Sequence, residues 1–171
     1  MTPQRLCEIW DDHHARLLLI TRSIAGGVTI PILEDAVQDA FIELAKRAVE
    51  PDDVLGWLAR VARNRMLDSM RSESRRQQRE IAHGEQCWFT PPVAPPNLDH
   101  PPPLEPEQLS RAIKSLPDLP RQVLTMHVWG EMTFESIAEV LGLSRSSAHR
   151  HYHRALDTLR NQFQEDSHVA R

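Results

Sequence analysis

Eight of the chain's 13 prolines fall between Thr90 and Pro106: Pro91, Pro92, Pro95, Pro96, Pro101, Pro102, Pro103 and Pro106. Proline lacks an amide proton and fixes φ, so this stretch can be neither helix nor inner strand. It predicts an extended, partly polyproline connector whose stiffness keeps its two ends apart. A PxxP motif offered to another domain is the lesser reading. Cys87, Trp88 and Phe89 are apolar residues at the connector's edge and are expected to dock on a flanking domain.

On either side of the connector the apolar residues recur at helical spacing, with no sustained alternation of period two. Leu6, Ile9 and Trp10, then Leu17, Leu18 and Ile20, predict a first helix, ended by Gly26-Gly27 and Pro31. A second is expected from about Leu33 to Val49, with Val37, Phe41, Leu44 and Ala45 on one stripe. Pro51-Asp52-Asp53 carries a helix-start signature. The third helix, about Asp53 to Arg79, places Leu58, Val61, Ala62, Met66 and Met70 on one stripe and forces its arginines onto the other faces. Beyond the connector four helices are predicted. They are Leu109–Ser115, Pro120–Trp129 stopped by Gly130, Phe134–Leu141 capped by Thr133 and stopped by Gly142, and Arg145 to about Gln164 capped by Ser144. The expected fold class is all-α, with two small helical domains. A three-to-four-helix domain spans 1–82, the connector 83–106, a four-helix domain 107–165 and a tail 166–171.

Forty per cent hydrophobic and 26% charged residues suit a globular protein with a core. No apolar run approaches the roughly 18 residues of a membrane span, and the N-terminus has no secretory pattern. A cytoplasmic protein without direct membrane insertion is expected. Cys7 and Cys87 stand far apart with no zinc-type spacing, which leaves no disulfide framework.

The formal net charge of −4 conceals two basic segments. Arg60, Arg63, Arg65, Arg71, Arg75, Arg76 and Arg79 face only Asp68 and Glu73 within 60–79. Arg145, Arg150, Arg154 and Arg160 face only Asp157 within 145–160. Local phosphate contacts on an otherwise acidic chain are the implied chemistry. By itself an arginine-rich helix is more often a solvated face, and Trp57 at its start is a core residue or a stacking surface for an unpaired base.

The sharpest local signal runs from Thr133 to Ala148. A short helix, a turn through Gly142, an inward Leu143 and a second capped helix form a helix-turn-helix pattern. Ala148, Tyr152, Ala155, Leu156 and Leu159 make the inward stripe of the second helix, which leaves Arg145, Ser146, His149, Arg150 and His153 outward, spaced for a major groove. The competing reading is a solvated helical hairpin. His149 and His153 share a face but His151 does not, so the three cannot hold one ion on a helix, and neither metal nor cofactor is expected.

Taken in order, these segments resemble a bacterial sigma factor of the sigma-70 family, of the small extracytoplasmic-function (group four) type. Glu34-Asp35-Ala36-Val37-Gln38-Asp39-Ala40-Phe41 is similar to the family's polymerase-binding helix. Trp57-Leu58-Ala59-Arg60-Val61-Ala62-Arg63-Asn64, with Asp68 and Arg71, resembles its promoter-melting and minus-ten-reading helix. Leu116-Pro117, Arg121-Gln122-Val123-Leu124, Gly130 and the run Ile137–Ser144 resemble its fourth conserved region, which reads the minus-thirty-five element.

The resemblance implies a promoter-specificity subunit without catalysis of its own. Its partners would be core RNA polymerase, promoter DNA and an anti-sigma factor. Asp35, Gln38, Asp39 and Phe41 would meet the polymerase. Trp57, Arg60, Arg63, Asn64 and Arg71 would take the minus-ten strand, with the loop Val49–Gly56 and Asn64 holding a flipped base. Arg145, Ser146, His149, Arg150 and His153 would face the minus-thirty-five element. The second function class is a stand-alone helix-turn-helix repressor, which would bind an operator without polymerase. An enzyme is the weakest class, because the chain has no glycine-rich phosphate loop, HExxH or GxSxG arrangement.

Overall fold

The computed structural model describes residues 1–25, 30–82 and 106–169, without the side chains of 73–82, 106–107 and 164–169. Cys87, Trp88, Phe89 and the prolines from Pro91 to Pro103 lie outside the described residues. Among the described residues there are seven helices and no strand, which agrees with the all-α expectation. They are α1 (Pro3–Ala25), α2 (Ile30–Ala45), α3 (Val54–Ala82), α4 (Pro106–Ser115), α5 (Asp118–Val128), α6 (Phe134–Leu141) and α7 (Arg145–Val169).

Local chemistry sets these ends. Pro31 sits in the first turn of α2, where its missing amide costs no helix hydrogen bond, so α2 starts earlier than predicted. It stops at Ala45 rather than Val49. Asp53 caps α3, its Oδ1 accepting from the Gly56 amide at 2.8 Å. Thr133 caps α6, its hydroxyl accepting from the Ser136 amide at 3.2 Å. Gly142 closes α6 with φ 70°, the left-handed conformation that favours glycine. Ser144 caps α7 through the Ser147 amide at 3.1 Å. Thr133→Ala should therefore cost about 1 kcal/mol in a denaturant melt, and an unchanged midpoint would remove this cap from the account.

α5 stops just before Gly130, as expected, but Gly130 does not take the left-handed conformation. The left-handed residue after α5 is Glu131, with φ 54°. A Cβ on Gly130 would collide with the Met126 carbonyl and come within 3.0 Å of Ile20 Cδ1. Glycine is needed there because the last turn of α5 leaves no room for a Cβ, and Ile20 of α1 narrows the space further.

α1, α2 and α3 pack on one another, and α7 packs on α4, α5 and α6. Val37, Phe41 and Leu44 of α2 and Leu58 and Ala62 of α3 are buried with Ile9, Leu17 and Ile20 of α1. Met66 joins Ala25, Leu33 and Ala36 in a second cluster. Ala45 and Met70, placed on the apolar stripes by spacing alone, are exposed. Leu116, Leu124 and Ala155 form a third cluster beneath α4 and α7.

The two helical units also meet, although the stiff connector suggested separation. α1 packs on α5 and α3 on α6. Val123, Met126, Ile137, Ala138 and Val140 share one core with the residues of α1–α3. The driving force is apolar area, since burying one Ile or Leu side chain is worth about 1.5–3 kcal/mol.

Candidate nucleic-acid and polymerase interface

On α3, Trp57, Arg60, Asn64 and Arg71 follow at steps of 3, 4 and 7, so they share one stripe beside the buried face. Arg63 lies to one side of that stripe and is half-buried. Asn64 and Arg71 are exposed, and Arg71 donates to Asp68 at 3.3 Å. Arg60 is exposed but bonded to Glu139 of α6 at 3.3 Å. Trp57 is half-buried, packed on the core at one edge, with the Arg47 guanidinium 5.1 Å above its ring. This cation–π contact occupies one face of the ring.

The loop before α3 is shorter than the segment Val49–Gly56 assigned from sequence, because Val54, Leu55 and Gly56 already belong to the helix. It is anchored at Glu50, which accepts from Arg5 Nη2 at 2.8 Å and Nε at 3.0 Å. That forked bond holds the Glu50 carboxyl below its usual range, with hydrogen bonding as the main cause. The loop is thus tied to the start of α1.

On α2 the heptad geometry separates the expected polymerase residues. Asp35, Gln38 and Asp39 are exposed. Phe41 is turned inward, only 4% exposed, and packs its ring 4.6 Å from that of Trp10. Phe41 therefore belongs to the core, and the apolar side chain presented beside Asp35 and Asp39 is Ile42, 51% exposed. The stripe is bordered by cations. Arg65 of α3 lies 3.9 Å from Asp39 and 3.1 Å from Glu43, and Lys46 bonds Glu43 at 3.1 Å. The Lys46 hydrogen bond is the leading cause of a lowered Glu43 carboxyl, with its charge and that of Arg65 adding to it. Sequence spacing could have found Ile42, because it stands four residues after Gln38 on the face opposite Val37 and Leu44.

The helix-turn-helix is built from α6 and α7, with Ala138 and Ala148 buried where they pack. Leu143 in the turn is half-buried against the same core. Arg145, Ser146, His149, Arg150 and His153 are all exposed on α7, while Ala155 is buried and Tyr152, Leu156 and Leu159 are partly so. Arg145 is held by Glu135 at 2.7 Å, and Arg150 donates to Ser147 at 2.9 Å. His149 stands edge-on to Phe134 at 5.2 Å, and Phe134 stacks on His127 at 4.4 Å. The Nε2 atoms of His149 and His153 lie 3.2 Å apart, within hydrogen-bond distance. His149 is exposed, with its ring against the edge of Phe134. Among the described residues no three His, Cys, Asp or Glu side chains group to hold a metal ion.

No described helix is long and apolar enough to cross a membrane. Residues 10–76 match the model of sigma-70 region 2, and residues 107–159 match that of sigma-70 region 4. The chain is 28% identical over 149 residues to the probable RNA polymerase sigma factor RfaY of Xanthomonas campestris, covering 85% of this chain and 36% of that protein. It is 26% identical over 155 residues to the ECF RNA polymerase sigma factor SigK of Mycobacterium tuberculosis, covering 82% of this chain and 80% of that one. The chain thus spans about a third of the first relative and four-fifths of the second. Its fold is similar to CnrH, solved in complex with the cytosolic domain of CnrY, with a TM-score of 0.58, 21% identity, and 96% and 91% of the two chains covered. It is also similar to the sigma factor RpoE from Bartonella quintana, solved with the anti-sigma factor NepR, with a TM-score of 0.61, 17% identity, and 92% and 97% covered. With regions 2 and 4 in this order over more than two-thirds of its length, the chain belongs to the sigma-70 family, whose members direct RNA polymerase to promoters and are not enzymes.

Proposed function

We propose that this chain is a cytoplasmic, dissociable transcription initiation factor that binds core RNA polymerase through α2 and carries it to promoters through α3 and α7. The observation that carries the reading is the pairing of two exposed faces of opposite chemistry on one small scaffold. α2 presents Asp35, Gln38, Asp39 and Ile42, an acidic and partly apolar strip suited to a basic protein surface. α3 and α7 present arginines suited to phosphates and base edges.

In this reading residues 1–82 bind polymerase and the minus-ten element, 83–106 connect, 107–165 read the minus-thirty-five element and 166–171 form a tail. Asn64 offers both a donor and an acceptor to a base turned out of the duplex. Trp57 stacks on such a base once Arg47 swings off its ring, and Arg60, Arg63 and Arg71 hold the strand's phosphates. Arg145, Ser146, His149, Arg150 and His153 enter the upstream major groove. The acidic remainder of the chain limits indiscriminate DNA binding until polymerase adds its own basic channel. An anti-sigma factor that covers the α2 strip would keep the chain off polymerase.

The test is co-elution with bacterial core RNA polymerase on a sizing column. A stoichiometric complex is expected. Separate elution of the folded protein, shown free of any co-purified inhibitor, would favour the repressor instead.

A further inference from the structure

The outward face of α7 carries two imidazoles one helical turn apart. His149 and His153 are both exposed, and their Nε2 atoms lie 3.2 Å apart with ring centroids at 4.4 Å. Each ring stands against an aromatic neighbour. His149 is edge-on to Phe134 at 5.2 Å, and His153 is edge-on to Tyr152 at 5.7 Å. Phe134 and Tyr152 are themselves packed on the core. The pair is thus held together before any ligand arrives.

The separation is that of two nitrogens on one metal ion. A late first-row divalent ion binds imidazole nitrogen at about 2.0–2.1 Å. Two such bonds place their nitrogens about 2.9 Å apart at a right angle and about 3.3 Å apart in a tetrahedron. The observed 3.2 Å falls inside that interval. The torsion that turns an imidazole about χ2 is broad, so both exposed rings can aim their lone pairs at one point in solvent. The same two atoms otherwise share a hydrogen bond, which is the arrangement an ion would replace.

The surroundings admit a dication. Arg145 is held by Glu135 at 2.7 Å and Arg150 donates to Ser147 at 2.9 Å, so both guanidiniums are engaged elsewhere. Asp157, one turn beyond His153, pairs with Arg160 at 3.6 Å. Among the described residues no third His, Cys, Asp or Glu completes the set. An ion here keeps its remaining coordination positions for groups from outside the chain.

We propose that His149 and His153 form a two-imidazole chelate for a late first-row divalent ion (Ni²⁺, Cu²⁺ or Zn²⁺), whose free positions take guanine N7 in the major groove. The chelate needs only α7; the guanine contact rests on the sigma-factor reading. N7 is an aromatic nitrogen of the kind these ions accept. Guanine is favoured over adenine because its N7 is flanked by the acceptor O6 rather than by an amino group. Mg²⁺ and Ca²⁺ prefer oxygen ligands and are not taken.

The test is a calorimetric titration of the full, untagged 171-residue chain with Ni²⁺. Ni²⁺ is chosen over Cu²⁺ because cupric ion oxidises an exposed thiol such as Cys7. One equivalent should bind tightly. His149→Ala or His153→Ala should weaken it about a hundredfold, the scale of losing one arm of a two-point attachment. The His153→Ala chain keeps His149 and His151, so it also tests whether the spacing of four is required. His13→Ala should leave the tight site in place, Mg²⁺ should not compete, and metal-free melting curves of the variants should match the native one. With Ni²⁺ at saturation, affinity for random-sequence duplex DNA at low salt should rise about tenfold, the size of one good base contact. That rise should vanish with duplexes containing 7-deazaguanine and with the His153→Ala protein.

Equal Ni²⁺ affinity of the native and His153→Ala chains overturns the chelate. A tight site that gives no gain on guanine over 7-deazaguanine overturns the guanine contact. Tight Ni²⁺ binding by a folded chain that fails to co-elute with core polymerase supports the chelate and overturns the sigma-factor reading instead.

Discussion

Changing Asp35 to Arg and Gln38 to Ala together should weaken binding to core RNA polymerase about a hundredfold. Both side chains are exposed on α2 and neither supports the core, so the fold should tolerate the change. Asp35→Arg replaces an attraction to a basic surface with a repulsion, and Gln38→Ala removes an adjacent hydrogen-bonding group. Losing one partner of an interfacial charge pair costs about 2–5 kcal/mol, and each 1.4 kcal/mol is about tenfold in affinity. The measurement is a titration of labelled polymerase, with a thermal melt of the variant alongside. Phe41→Ala supplies the contrast. With its ring packed on Trp10 and 4% exposed, it should lose about 3–5 kcal/mol of stability. A Phe41→Ala protein that melts normally yet fails to bind polymerase would place this ring at the interface after all.

Asn64→Ala should lower open-complex formation about tenfold while leaving polymerase affinity unchanged, since one stacked or bonded base is worth about 1–3 kcal/mol. The residue is exposed on the stripe with Trp57, Arg60 and Arg71, away from the acidic strip of α2. Permanganate reactivity of unpaired thymines would report melting, and a separate titration would report polymerase binding. Equal loss in both would show that Asn64 acts on the polymerase side or on the fold. Trp57→Ala should show the same separation, with an added stability loss because the ring packs partly on the core.

Much of this architecture was legible in the residues because it is local. Thr133, Gly142 and Ser144 act within a turn of themselves, and the helix-turn-helix followed from their spacing. The inward Ala148 and Ala155 and the outward Arg145 and Arg150 obey a single period. Phe41 was harder. As an aromatic in a motif otherwise made of acids and an amide, it looked like a docking residue, but α1 lies over it and Ile42 takes the outer position. Gly130 follows the end of α5 as its spacing suggested, but the Met126 carbonyl four residues back, not a left-handed φ, is what demands a glycine. The contact between the two units was not legible at all. Asp53 accepts from the hydroxyl of Ser136, 83 residues away, and each has a sufficient local role as a cap or as a residue in the first turn of a helix. Nothing in the periodicity of either unit reveals that their apolar faces close on each other.

The central claim is that this chain gives RNA polymerase a promoter preference. The most direct measurement is sequencing the 5′ ends of transcripts made by core polymerase from a random-sequence DNA pool, with and without the protein. The account predicts new start sites that appear only with the protein and share two upstream sequence blocks at a fixed spacing. The absence of protein-dependent starts, together with tight binding of duplex DNA by the protein alone, would contradict it.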